Sequence, residues 1–144
     1  MSLLQIQKCT EEDANMLAEL RARAMKDSLE AIGRYDEQRV RNRLLENFVV
    51  GDTYKVLMDQ QLAGFYVIHL REDHLYLDHL YIDPAFQGHG LGHKILTDIQ
   101  QQARSLNLPV RLGALRDSRA NKFYRRHGFI QTHEDAFDIF YQWQ

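Results

Sequence analysis

Apolar and polar residues alternate along this chain with two distinct periods, and the change from one to the other marks out its elements. Leu3 to Cys9 mixes apolar and polar residues at strand-like spacing, and Thr10-Glu11-Glu12-Asp13 then offers an N-cap followed by carboxylates in a first turn. Leu17, Leu20 and Ala24 recur at helical spacing with Arg21, Arg23 and Lys26 between them, and Gly33 is placed to close that helix. A second helix is predicted from Asp36 to Phe48. Val40, Leu44, Leu45 and Phe48 form its apolar face, while Arg39, Arg41 and Arg43 face solvent.

From Thr53 the period shortens to two. Thr53–Met58 and Leu62–Ile68 read as strands around a turn at Asp59-Gln60-Gln61, and a short turn at Glu72-Asp73 leads into a third strand, His74–Ile82. That strand stops at Asp83-Pro84, because proline has no N–H to donate to a ladder. A helix from near Gly90 to about Asn107 carries Ile95, Leu96, Ile99 and Ala103 on one face, with Pro109 just beyond it. Val110–Leu115 is a short buried-type strand. Arg119–His127 is a helix with Ala120, Phe123 and Tyr124 inward, terminated by Gly128, and Phe129-Ile130 and Phe137–Trp143 supply closing strands. An antiparallel meander, a strand-helix-strand crossover and further strands imply a mixed α/β (α+β) fold, with a mostly antiparallel sheet flanked by helices.

Composition narrows the function. The 144 residues, 44% hydrophobic and 26% charged, with no internal repeat or linker, give the expectation of a single domain spanning 1–144. Eighteen Lys+Arg against twenty Asp+Glu leave a formal charge of -2, so there is no global positive field to gather a nucleic acid. The single cysteine, Cys9, excludes an intrachain disulfide and reads as a small buried apolar residue. Met1 to Gln7 lacks a basic segment followed by a long apolar run, and no stretch approaches a membrane span, so a cytoplasmic protein is expected.

The chemistry concentrates in Gln87-Gly88-His89-Gly90-Leu91-Gly92, between a strand and a helix start. Successive backbone N–H groups and the helix dipole favour an anion there, and glycine lets phosphate oxygens approach the main chain. A dinucleotide fingerprint needs glycine where His93 stands, and the Gly-Lys-Ser/Thr of a P-loop is absent, so neither NAD nor ATP is supported.

The run from Leu80 through Asp83-Pro84 to Gln87-Gly88-His89-Gly90-Leu91-Gly92 resembles the strand, proline turn and cofactor loop of the GNAT superfamily of acetyl-CoA-dependent N-acetyltransferases. Arg119-Ala120-Asn121-Lys122-Phe123-Tyr124-Arg125-Arg126-His127-Gly128-Phe129 is similar to the same family's Arg-Ala-x-x-Phe-Tyr-x-x-x-Gly-Phe segment. Asp117 departs from it, since many members carry asparagine there. The resemblance implies a splayed pair of parallel strands holding acetyl-CoA as co-substrate. Leu80, Tyr81 and Ile82 would line the pantetheine arm, and Gln87, Gly88, His89, Gly90, Leu91 and Gly92 would hold the pyrophosphate. A bulge near His79-Leu80 would turn the Leu80 N–H toward the thioester carbonyl, to stabilise the oxyanion formed on attack. Tyr124 would donate a proton to the departing CoA sulfur. Asp78 and His79 are the candidate bases for the amine, and Asn121 would contact the cofactor's pantetheine or phosphate region. The basic residues Arg116, Arg119, Lys122, Arg125 and Arg126 would chiefly form a solvated face.

Seven histidines raise a metal reading, with His89 and His93 four residues apart, but position 90 is glycine rather than glutamate, and no metal is expected. The implied partner is an amine acceptor, either a small molecule or a peptide or protein, with no nucleic acid and no membrane. Glu30, Tyr35 and Asp36 either form an exposed helix-helix connection or contact the amine, and Glu134, Asp135 and Asp138 either are scattered surface carboxylates or favour a cationic amine. The aromatic segment Phe137–Trp143 either packs within the monomer or pairs across a homodimer. A catalytically silent acyl-CoA-binding regulatory domain is the alternative, which the presence of Tyr124 disfavours.

Overall fold

The computed structural model describes residues 3–144. In chain order the elements are β1 (Leu4–Lys8), α1 (Ala14–Ala31), α2 (Glu37–Leu45), β2 (Thr53–Met58), β3 (Gln61–Leu70), β4 (Leu75–Ile82), α3 (Leu91–Leu106), β5 (Val110–Leu115), α4 (Ala120–Arg126), β6 (Ile130–Glu134) and β7 (Asp138–Trp143). The strands form a seven-stranded sheet in the order β1-β2-β3-β4-β5-β7-β6. β1, β2 and β3 pair antiparallel in sequence, and β5, β7 and β6 likewise. β4 and β5 are parallel, with Leu75, Tyr76 and Leu77 opposite Val110, Arg111 and Leu112, as a crossover through α3 requires. This is the mixed, mostly antiparallel fold expected from the chain's periodicity. Among the described residues no helix is long and apolar enough to cross a membrane.

The chain divides into two compact units. One runs up to Val67 and includes His79–His93; the other comprises Ile68–Asp78 and Lys94–Gln144.

The core of the first unit is formed by Cys9, Leu17, Ala18 and Leu20, Leu44 of α2, and Phe65 and Val67 of β3, with Phe48 and Tyr81 packed against it. Burial, reinforced by the nearby Asp13 carboxylate and opposed by Lys55, pushes the Cys9 thiol up to about 11, consistent with a structural rather than reactive cysteine. A single 3-10 turn, Glu11–Asp13, precedes α1, and the Asp13 carboxylate accepts the Thr10 N–H at 2.9 Å and the Lys55 ammonium at 3.1 Å. Gly33, at φ 69°, ends α1 with the Arg34 N–H on the Leu29 carbonyl (2.8 Å) and its own N–H on that of Glu30 (3.0 Å), the paired bonds of a Schellman cap. Asp36 caps α2 by accepting the Arg39 N–H at 3.1 Å. That helix ends at Leu45, so Phe48 reaches the core from the connection after it rather than from the helical face expected. The hairpin turn is two residues, Asp59 and Gln60 at φ 51° and 70°, while Gln61 pairs with Met58 as the first residue of β3.

Arg21 is 8% exposed; its Nη1 donates to the Val40 carbonyl at 2.7 Å and its guanidinium lies 5.6 Å over the Tyr81 ring, so one side chain fastens α1 to α2 and to β4. A Cβ at Gly64 would lie 2.6 Å from the Tyr81 carbonyl oxygen, so β3 approaches the end of β4 more closely than a side chain permits. Because the obstacle is main chain, Gly64→Ala is expected to lower the melting temperature by roughly 5–10 °C, the effect of overpacking by a few kcal/mol. A thermal melt matching the native protein would show that β4 yields without cost.

In the second unit, Ile95, Leu96, Ile99 and Ala103 form the fully buried stripe of α3, and Val110, Leu112 and Ala114 are the buried positions of β5. Asn107, at φ 57°, closes α3, with the Leu108 N–H on the Ala103 carbonyl at 2.9 Å. Gly113 is required by Phe140, whose ring carbon would lie 2.8 Å from a Cβ there. The last hairpin differs from the expected Phe129-Ile130 strand: β6 starts at Ile130 and extends to Glu134. All five of its residues are exposed, so no apolar alternation announces it, and it is held by main-chain pairing with β7 at the edge of the sheet.

Candidate active site

The strand β4 leaves the sheet through a tightly tied turn. Asp83 donates its N–H to the Ala63 carbonyl (2.8 Å), and its carboxylate accepts the Ala85 N–H (3.0 Å) at the start of the 3-10 turn Pro84–Phe86. The same carboxylate takes the Arg23 guanidinium at 2.6 Å, an ion pair in which the arginine is half exposed and the aspartate largely shielded. Gln87, expected at the pyrophosphate, turns its side-chain amide back onto the Ile82 carbonyl at 3.1 Å and so braces the loop. Gly88 and Gly90 follow at φ 83° and 77°, and nothing lies within 4 Å of a Cβ built on either. Gly88, His89 and Gly90 are exposed, and Leu91 buries its side chain to anchor the first turn of α3. The leading N–H groups of a helix have no intrahelical acceptor, and the first turn of α3 carries no carboxylate to compete for them. The loop can therefore take an anion on its main chain.

β4 itself is bulged. Its two ends are cross-linked to β3 through Arg71 N–H to His74 O (2.9 Å) and Asp83 N–H to Ala63 O (2.8 Å). Between these bonds β3 advances eight residues and β4 nine, so β4 holds one extra. The side chains locate it. Asp78 meets His69, whereas His79 and Tyr81 meet Phe65, and positions 65 and 69 of one strand share a face. Asp78 and His79 thus project to the same side, one residue before the expected His79-Leu80. His79 is 4% exposed, its ring 6.2 Å from Phe65 and 5.7 Å from Tyr81. Leu80, Tyr81 and Ile82 are half-buried.

In the second unit, α4 holds Tyr124 at 7% exposure. Gly128, at φ 86°, puts its N–H on the Arg125 carbonyl (3.1 Å), and the Phe129 N–H bonds the Tyr124 carbonyl (3.1 Å). This is a second Schellman cap, and its characteristic apolar contact is Phe129 on Tyr124, ring centroids 5.6 Å apart. The Phe-Tyr-x-x-x-Gly-Phe spacing is therefore a helix terminator that clamps the tyrosine ring. Asn121, expected at the cofactor, is 5% exposed and donates its amide to the Leu115 (2.8 Å) and Ser118 (3.0 Å) carbonyls, while its oxygen accepts the Tyr141 hydroxyl at 2.9 Å. Its side chain ties α4 to β5 and β7.

Beside Asp78 the structure places His69, which the sequence pattern does not single out. Its Nε2 lies 3.2 Å from Asp78 Oδ2, and both side chains are largely shielded, 8% and 16% exposed. The available signal was an ionisable residue at the end of the apolar run Phe65–Ile68. Among the described residues no group of three His, Cys, Asp or Glu is disposed to hold a metal ion.

The chain belongs to the acetyltransferase (GNAT) domain family, whose profile matches residues 10–138, and it is an acyltransferase by that membership. Solved structures agree in fold. The PaiA N-acetyltransferase of Thermoplasma acidophilum, in complex with coenzyme A, is 20% identical, with a TM-score of 0.75 over 97% of this chain and 98% of that one. The ribosomal-protein-S18-alanine N-acetyltransferase of Escherichia coli is 16% identical, with a TM-score of 0.70 over 97% and 92%. Arabidopsis thaliana Naa50, in complex with the bisubstrate analogue CoA-Ac-MVNAL, is 14% identical, with a TM-score of 0.69 over 98% of each chain. No curated protein sequence shows significant similarity to this chain.

Proposed function

We propose that the chain moves an acetyl group from acetyl-CoA to the primary amine of a small molecule or a peptide, by direct attack with both substrates bound, and that residues 1–144 act as one catalytic domain. The observation that carries this reading is the loop before α3. Two left-handed glycines with open space at each missing Cβ leave the main chain before α3 accessible, which supports a cradle for a pyrophosphate there. In this reading Leu80, Tyr81 and Ile82 line the pantetheine arm and Gln87–Gly92 hold the phosphates. The bulge gives Leu80 an amide for the thioester oxyanion, where a fixed donor is worth several kcal/mol. Tyr124 protonates the leaving sulfur, since an ordinary phenol, with a pKa of about 10, is protonated at neutral pH. Asp78 and His79, together on the bulge, are the groups nearest at hand to receive the amine's proton. The coenzyme A and peptide-analogue complexes of the structural relatives support the choice of co-substrate and of an amine acceptor.

The reading is tested by acceptor-dependent release of CoA thiol from acetyl-CoA, measured against alkylamines, polyamines, amino acids and short peptides. Release with at least one class, together with a mass increase of one acetyl group on that acceptor, is expected. Acetyl-CoA binding with no release across the panel would favour a silent sensor, and absence of binding would overturn the cofactor assignment.

A further inference from the structure

A charge withdrawn from water is costly unless it is paired. Arg21 is 8% exposed and, among the described residues, has no carboxylate partner. Its one hydrogen bond runs from Nη1 to the Val40 carbonyl at 2.7 Å. Nε is sealed from solvent with no acceptor, whereas Nη2, which has none either, is not sealed. The acids that pair with cations on the elements around it are committed elsewhere: Asp13 before α1 to Lys55, Glu19 on α1 to Arg41, and Asp83 after β4 to Arg23. We propose that Arg21 is an anion subsite that takes a carboxylate of the acceptor on Nη2, and that the acceptors are short aminocarboxylates. This rests on the acetyltransferase reading above and names the substrate class of that same site.

A guanidinium is planar, always charged, and presents its donors in a fixed fork that matches a carboxylate. Here the Val40 carbonyl holds one end of the fork, and the Tyr81 ring, its centroid 5.6 Å from the guanidinium carbon, backs the charge. The edge formed by Nε and Nη2 is therefore held in place without an acceptor. An anion drawn onto Nη2 lies on that edge, beside the orphaned Nε donor, and supplies the countercharge that the chain does not. Arg23 and Arg41, on the same two helices, already hold carboxylates. The place also suits an acceptor. Tyr81 follows Leu80, whose amide the proposed reading gives to the thioester oxyanion, and Arg21, Val40, Leu80 and Tyr81 all belong to the first compact unit.

A buried cation repels a bare ammonium but draws in the anionic end of a zwitterion, and so sets which end of the acceptor enters first. With the carboxylate held, the amine is left to face the thioester at a fixed distance, which favours one spacing between the two groups. The carboxylate takes no part in the bonds that form and break. Its contact is the same before and during attack, so the discrimination it provides falls on KM rather than on kcat.

The test uses ω-aminocarboxylates of increasing chain length, each beside its carboxamide, which keeps the shape and loses the charge. For the native protein, kcat/KM is expected to favour the carboxylate by ~10- to 100-fold at one chain length, chiefly through KM. Arg21→Met should bring that ratio to within about threefold. Because the ratio compares two acceptors on one protein, a general loss of stability or of cofactor binding cancels from it. If Arg21→Met does not fold, Arg21→Lys decides: its ammonium cannot hold the Val40 carbonyl and a carboxylate in the geometry of the fork, and the ratio should fall by about fivefold or more. A native ratio below about threefold at every chain length, release only with amines outside the series, or a ratio that survives the substitution would overturn the subsite while leaving the acetyltransferase reading intact. A native protein that releases no CoA with any acceptor would overturn that reading and this proposal together.

Discussion

Tyr124→Phe is expected to lower kcat for acetyl transfer by ~10²- to 10³-fold while acetyl-CoA affinity stays within about threefold. The substitution removes one oxygen and keeps the ring. Contacts with Phe129 at 5.6 Å and Tyr141 at 6.4 Å therefore persist, and the main-chain bonds of the cap at Gly128 do not involve the hydroxyl. A loss confined to kcat would reflect an interaction made only as the C–S bond breaks. Steady-state kinetics beside a calorimetric Kd separates the two quantities. Unchanged turnover would reduce the tyrosine to a packing residue, and a parallel loss of affinity would make it a binding group.

The double variant Gly88→Ala/Gly90→Ala should weaken acetyl-CoA binding by ~100-fold. Each glycine occupies a left-handed conformation, φ 83° and 77°, where an L residue costs about 1–2 kcal/mol. Since nothing lies within 4 Å of either new methyl group, the strain is in the backbone, and the exposed loop relieves it by leaving the left-handed shape that the proposed reading assigns to phosphate binding. Two such positions amount to ~3 kcal/mol, or about two orders of magnitude in Kd. Titration calorimetry with acetyl-CoA and a thermal melt together test this. A melting temperature within a few degrees of native is expected, because the loop is exposed and carries little of the core. An unchanged Kd would show that the phosphates are held elsewhere.

Much of this protein is written in short stretches of chain. The caps at Thr10 and Asp36, the glycine at the end of α1, the strand Val110–Leu115 and the loop glycines depend on residues within a few positions of one another. Their physics is local, and periodicity exposes it. The Tyr124–Phe129 segment is of this kind too: a left-handed glycine four residues after a tyrosine dictates both the end of α4 and the contact that holds the ring.

What escaped the sequence lies between segments. β6 carries no apolar pattern, because an exposed edge strand is held by its partner's main chain rather than by its side chains. Asn121 spends its amide on Leu115, Ser118 and Tyr141, up to twenty positions away, and Arg21 reaches Val40 and Tyr81. The register of β3 against β4 decides more than any of these. One extra residue in β4 turns Asp78 and His79 to the same side and sets Asp78 against His69, nine positions earlier in the chain. By itself the sequence determined most of the elements, the glycine-rich turn before α3 and the family, because each follows from neighbours along the chain. Only the tertiary structure decided which ionisable groups meet, because a one-residue change of register exchanges the faces of a strand and leaves the local pattern untouched.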